Sequence, residues 1–317
     1  MDSLGNLTDL LRVLQDPTRL RLLWVLRRGE LSVGEMVQVT GLSQPRVSRH
    51  LKMLCDARIV RRTPDQNEVY YRAAVDEDCR DLVATILSSL SARDPIIARD
   101  QQRLASILNL RQTRSRALLG RLGVRTLDAG DMAEVSAAID VLLARHLPRN
   151  AHGEHLGDML DVGTGTGSML RLLAGRARRI VAVDLSRDMR LIARATVLAE
   201  GLANCTVREG DMYDLEFPGG HFDLVIMDRV LGTADDPVAA LGEAARVMND
   251  DARLLLVETR TAAIGEQQLE RHLVLAGLSS VELQAAARES VLVLLAARAE
   301  VSGSVPRTKR SETPGDR

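Results

Sequence analysis

The sequence predicts an α/β protein in two folded parts. A helix-turn-helix with a β-hairpin comes first, then a helical stretch, then a doubly wound, mostly parallel sheet. Three observations predict this. Two short helix signatures joined at Gly41 are followed by two strand-like runs around a turn. From about residue 151 to 298, short apolar runs alternate with helical ones, the pattern of strands linked by helical crossovers. The 317 residues suffice for two separate cores.

In the first part, residues 1–75, Asp16-Pro17 is a helix start, an N-cap followed by proline in the first turn. Leu20, Leu22, Leu23, Trp24, Val25 and Leu26 make the helix behind it a buried one, closed near Gly29. Ser32-Val33-Gly34-Glu35 is a capping box that opens a helix ending at Gly41. Ser43-Gln44-Pro45 opens the next, where Val47, Leu51 and Leu54 form the core stripe at i, i+4, i+7. Arg46, Arg49, His50 and Met53 fall on another face. Two helices joined by a glycine turn, the second with cations near its start, make a helix-turn-helix pattern. Ile59–Thr63 and Glu68–Ala73 are strand candidates around a Pro64-Asp65-Gln66-Asn67 turn.

Residues 76–150 are rich in Ala, Leu, Arg and Asp and read as helices over 80–91, 95–119 and 131–146, expected to link and to dimerise. In 151–298 the apolar strand MLDV enters a glycine-rich turn, with a helix from about Ser168. RIVAVD, CTVRE, FDLVIM and RLLLVE are four further strands. Ligands of such sheets bind at the carboxyl ends of the strands, where Gly163, Asp184, Asp211 and Asp228 fall. Residues 299–317 read as a disordered tail.

Charge is nearly balanced at −1 overall, so any surface for a polyanion has to be local. Residues 42–72 hold seven Arg and Lys against three Asp and Glu, a local +4. Aromatics are 2% of the chain, which argues against a base-stacking, single-strand surface. Cys55, Cys79 and Cys205 are far apart, make no disulfide framework, and fit a reducing cytosol. The first residues lack a signal-peptide pattern, and no apolar run approaches the roughly 20 residues of a membrane span. A cytoplasmic protein with no membrane partner is expected.

The segment from Asp16 to Ala73 resembles an ArsR-family winged helix along its whole length. The resemblance implies a homodimer on palindromic double-stranded operator DNA. It places Ser43, Gln44, Arg46, Ser48, Arg49 and His50 against bases and phosphates, and Arg61, Arg62 and Arg72 against the backbone. Many such regulators sense metals, but the helix SVGEMVQVTG has no cysteine and DEDCRDLVATILSSL no histidine, so no metal is expected.

In the second part the glycines run Asp161-x-Gly163-x-Gly165-x-Gly167. A dinucleotide fingerprint would need glycine or alanine at Ser168. The pattern is similar to the first motif of class I methyltransferases, whose fold is Rossmann-like. That resemblance implies S-adenosylmethionine or S-adenosylhomocysteine held by Asp161, Gly163, Thr164, Gly165, Gly167, Asp184, Leu185, Asp211, Met212 and Asp228. Asp184 would accept from the ribose hydroxyls and Asp211 from the adenine amino group. The chain departs from the pattern after the fourth strand, where Val230-Leu231-Gly232-Thr233 replaces the usual aromatic or histidine pair. The segment over the acceptor is shortened, and no aromatic residue is evident to exclude water. The expected function is therefore a transcriptional regulator, a repressor, whose second part binds the adenosyl compound as effector. The alternative is an active methyltransferase that also binds DNA, for which no catalytic residue stands out.

Overall fold

The computed structural model describes residues 4–74, 77–124, 126–147, 155–261 and 264–299. The expected boundary near residue 150 and nearly all of the expected tail lie outside them.

The N-terminal part consists of α1 (Leu4–Leu14), α2 (Pro17–Leu26), β1 (Leu31–Ser32), α3 (Val33–Thr40), α4 (Gln44–Asp56), β2 (Val60–Asp65) and β3 (Glu68–Ala73). Its caps are those read from the sequence. The Asp16 carboxylate accepts from the backbone of Thr18 and Arg19, and Ser32 and Glu35 close a reciprocal capping box. Val47, Leu51 and Leu54 are fully buried in one core with Leu22, Leu26, Met36 and Val39. The hairpin differs from expectation in its turn. Strand β2 runs on through Pro64 and Asp65, so only Gln66 and Asn67 turn, with Gln66 at φ +53°. Strand order is β1-β3-β2. Pro64, which has no N–H to give, therefore sits on an edge strand.

Two helices follow, α5 (Glu77–Ser88) and the 28-residue α6 (Pro95–Leu122). Val83, Leu87, Ile97, Leu104 and Ile107 from these helices join the core of the N-terminal part. Helix α7 (Ala129–His146), read as a linker, does something else. Its stripe of Val135, Ile139, Leu142 and Leu143 packs into the core on one face of the large sheet.

That sheet is built from β4 (Asp158–Val162), α8 (Ser168–Leu173), β5 (Arg179–Asp184), α9 (Arg187–Glu200), β6 (Cys205–Glu209), β7 (Phe222–Asp228), α10 (Pro237–Val247), β8 (Met248–Thr259), α11 (Glu266–Leu275), β9 (Leu278–Ala286) and β10 (Val291–Arg298). Strand order is β6-β5-β4-β7-β8-β10-β9. The first five strands are parallel to one another, and β10 runs antiparallel to both β8 and β9. The reversal of strand order at β4 opens a crevice at the carboxyl ends of β4, β5 and β7.

The two parts dock through α6, α9 and the β2–β3 hairpin, here called the wing. Arg111 of α6 grips the Glu35 carboxylate with both branches, at 2.6 Å each, and also donates to the carbonyls of Glu30 and Arg194. Strand β6 is an edge of the large sheet, and its Val207 amide donates to Glu30 while its carbonyl accepts from Arg194. The N-terminal part thus covers a sheet edge that would otherwise stand open to another strand. Among the described residues no helix is long and apolar enough to cross a membrane.

Candidate functional site

Two surfaces carry the residues singled out by the sequence. The first is the start of α4. Pro45 in its first turn costs no hydrogen bond there. Ser43 at the N-cap makes no capping bond with its side chain. Ser43, Gln44, Arg46, Ser48 and Arg49 are all exposed. Arg46 donates to the Thr18 hydroxyl at 3.2 Å, which steadies it against α2. His50 is half-buried, its Nδ1 3.7 Å from the Asp16 carboxylate. Burial lowers its pKa against the opposing pull of Asp16, and Arg19, Arg46 and Arg49 lower it further. His50 is therefore a neutral neighbour of the arginines near pH 7.

On the wing, Arg61 and Arg62 are exposed. Arg72 corrects the expectation that it meets the DNA backbone. Its cross-strand partner Arg61 is exposed, whereas only 8% of Arg72 is. Burial lowers its pKa, and the charge of buried Glu30 offsets this.

The second surface is a cavity of about 570 Å³ at the carboxyl ends of the parallel strands. Of the expected ligand residues, Gly163, Thr164, Gly165, Asp184, Leu185, Asp211, Met212 and Asp228 line it. Gly163 and Gly165 sit at φ +69° and +53°. A Cβ on Gly163 would come within 2.6 Å of Val230, whereas one on Gly165 would meet nothing closer than 3.8 Å. The loop is pressed onto the 230–233 turn on one side and left open on the other. Gly167 opens α8 but does not line the cavity.

Asp161 lies beneath the glycine loop and is fully buried. One carboxylate oxygen accepts from the Thr164 hydroxyl at 2.6 Å, and the other is buried with no partner. Burial pushes its pKa up to about 7, with Asp228 and Asp184 adding to the rise and the Thr164 bond opposing it. Asp184 accepts from the Gly165 amide at 2.9 Å and the Ser186 amide at 2.8 Å, so it ties the two ligand loops together. Burial raises its pKa as well. Asp211 accepts from the Tyr213 amide, and Asp228 from Ser168 and from its neighbour Arg229.

Several lining residues escaped the sequence reading. Tyr213, Met189, Arg229 and Asp235 stand in the wall, and Val124 and Thr126 reach it from the turn between α6 and α7. Tyr213 is an aromatic residue in this wall, and its hydroxyl accepts from the Asp236 amide. Its place two residues after Asp211 was a usable signal. Nothing local marked Val124 or Thr126, which lie far upstream. In the 230–233 turn Val230 and Leu231 are buried, and Glu258 accepts from the Leu231 amide at 2.7 Å. Burial raises Glu258 to about 7 against these backbone bonds. Among the described residues no group of three or more His, Cys, Asp or Glu is arranged to hold a metal ion.

Two stretches of the chain match known families. Residues 16–62 match the family described as bacterial regulatory protein, arsR family, and residues 160–256 match the family described as methyltransferase domain. The probable mercury resistance operon repressor of Streptomyces lividans is 42% identical over 89 residues, 28% of this chain and 69% of that protein. The HTH-type transcriptional regulator KmtR of Mycobacterium tuberculosis is 35% identical over 98 residues, 31% of this chain and 75% of the regulator. The uncharacterized methyltransferase YcgJ of Bacillus subtilis is 28% identical over 120 residues, 34% of this chain and 47% of that protein. Other curated relatives are spanned over only 29% and 36% of their lengths. With two regulators matched over most of their length and a methyltransferase domain following them, the chain belongs to the ArsR family of bacterial regulatory proteins, in a form that carries a methyltransferase domain.

Proposed function

We propose that the chain is a DNA-binding transcriptional regulator, a repressor acting as a homodimer on double-stranded operator DNA, and that its methyltransferase domain binds S-adenosylmethionine or S-adenosylhomocysteine as effector. The observation that carries the effector half is the charge of the cavity. Among the described residues, Asp184, Asp211, Asp228, Asp235 and Arg229 are the charged groups that line it, and Asp161 beneath the loop has an oxygen with no partner. Such a site favours a ligand with a cationic group: the amino acid end of either adenosyl compound carries an ammonium beside its carboxylate, and S-adenosylmethionine adds a sulfonium. The open side of Gly165 leaves room for a ligand to approach the backbone closely. In this reading Asp184 and Leu185 hold the ribose, Asp211 and Met212 the adenine, and the 161–167 loop the amino acid end.

The DNA half is supported by the exposed arginines at the start of α4 and by the two regulators matched along it. We assign Ser43, Gln44, Arg46, Ser48, Arg49 and His50 to the major groove and Arg61 and Arg62 to the backbone, with Arg72 withdrawn. The effector is proposed to be the adenosyl compound and not a metal, and the protein to work in the cytoplasm.

A second reading, active methyl transfer, is favoured by Tyr213 and Asp235 at the cavity wall. S-adenosylmethionine supplies an electrophilic methyl group, and alignment with an acceptor is the main demand on the protein. One paired experiment separates the two. Operator affinity is measured with saturating S-adenosylmethionine or S-adenosylhomocysteine, and adenosylhomocysteine release is followed with cell extract as acceptor. The effector reading expects a change of roughly 5- to 150-fold in operator affinity and little turnover. Robust turnover with unchanged affinity favours the enzyme.

A further inference from the structure

Helix α9 begins at the ligand cavity and lies against the wing, and one side chain on it touches both. The Arg190 side chain is fully buried. Its Nη1 donates to the backbone carbonyls of Asp184 at 3.0 Å and Leu185 at 2.9 Å, two residues of the cavity wall. Its Nε and Nη2 donate to the Asp65 carboxylate in the wing, the latter at 2.7 Å, and Nη2 also reaches Glu209 at 2.9 Å. A guanidinium has five N–H donors in a rigid plane, and these contacts occupy all of them. One turn later Arg194 pairs with the same Asp65 and with Glu30.

We propose that Arg190 is a shared positioning residue, whose guanidinium locks the Asp184–Leu185 loop of the ligand cavity to Asp65 of the wing, so that ligand binding and wing docking shift together. The proposal rests on the effector reading for its consequence, but the link itself exists without ligand. Asp184 accepts from Gly165 and Ser186, so any ligand that draws this loop toward itself moves the two carbonyls that Arg190 holds. With no spare donor, Arg190 can follow only by loosening Asp65 or by carrying it along. The plane of the fork makes the coupling directional, because shifting one end tilts the other. A lysine is a point charge on a flexible stem and could not serve both ends at once. Coupling of this kind requires that two sites bias one element with two arrangements, and here the element is the wing seated against α9.

The test is hydrogen exchange on the full chain. In the absence of ligand, Asp65→Asn is expected to speed exchange in the hairpin 60–73 and also at the Gly165 and Ser186 amides, which Asp65 does not touch. Acceleration confined to the hairpin would overturn the link. With S-adenosylhomocysteine added, wild-type hairpin exchange is expected to change by roughly five-fold or more. Asp65→Asn should keep the ligand but lose that response, and Arg190→Lys should weaken ligand binding as well. A wild-type hairpin indifferent to bound ligand overturns the coupling and leaves the effector reading standing. No binding at all sinks the effector reading, while the ligand-free comparison still decides the link. Should Asp65→Asn fail to fold, Glu209→Gln loosens Arg190 from its half-exposed side and is expected to speed the same amides. No acceleration there would also overturn the link.

Discussion

Two of the buried carboxylates in this molecule, Asp65 and Asp161, are treated in opposite ways. At the docking surface Asp65 lies between the guanidiniums of Arg190 and Arg194, and its pKa falls below the usual value although burial alone would raise it. In the cavity region Asp161 has only a threonine hydroxyl, and its pKa rises to about 7. The chain can place arginines beside buried acids, and it has done so where two domains must hold together. Among the described residues no cation pairs with Asp161 as Arg190 and Arg194 pair with Asp65. A ligand bearing one would complete there what Arg190 and Arg194 complete within the chain.

The comparison can be broken hardest at Arg194. Arg194→Ala leaves Glu30 and Asp65 buried with less compensation, and breaking a buried pair typically costs about 3–5 kcal/mol. Urea unfolding should report a loss of that order. A loss near zero would mean that the docking surface does not depend on its charges.

At Asp161 the opposite sign is expected. A carboxyl held at about 7 when folded and near 3.8 when unfolded contributes stability below about pH 4 that is lost as pH rises through about 7. Asp161→Asn should therefore stabilise the unliganded protein at pH 8, by up to roughly 4 kcal/mol at about 1.4 kcal/mol per pK unit. Near pH 4 the gain should vanish. The same change should weaken adenosyl ligand binding. Destabilisation at pH 8 would place Asp161 with the paired acids of the interface.

A third set of charges, exposed on α4, sharpens the contrast because its partner lies outside the chain. Arg46→Ala and Arg49→Ala should each weaken operator binding by about 1–3 kcal/mol while leaving folding unchanged. Binding should fall steeply with salt as counterions are released. Unchanged gel-shift affinity for both variants would remove α4 from the groove.

The smallest effect expected is a pH dependence of ligand affinity. A cationic ligand prefers Asp161 ionised, so affinity should rise as pH climbs toward about 7, by a factor of at most about ten per unit, and level off above. Calorimetry in buffers of different ionisation heat should detect proton release on binding below pH 7. Proton uptake would reverse the assignment.

Much of the fold could be read in advance, and the misses have local causes. The capping box, the core stripe of α4 and the five parallel strands needed only spacing and apolar periodicity, which act within a dozen residues. Strands β9 and β10 were missed because LQAA and VLVLLAAR carry alanines and leucines that suit a helix equally, and pairing with β8 decided the matter. Pro64 suggests a break, which makes the turn look two residues longer than it is. Its edge position makes it harmless within a strand.

What the sequence determined by itself is the order of elements, the glycine loop with its acids at strand ends, and the arginines opening α4. Each depends on backbone geometry or side-chain chemistry within one element. Only the tertiary structure decided which charges meet. Asp65 and Arg190 are 125 residues apart, and Glu30 and Arg194 are 164 apart. No periodicity links such positions. Arg61 and Arg72 look alike in the sequence, yet one is exposed and the other buried. Whether an arginine faces solvent or another domain depends on what docks against its strand, and that is a property of the assembled chain.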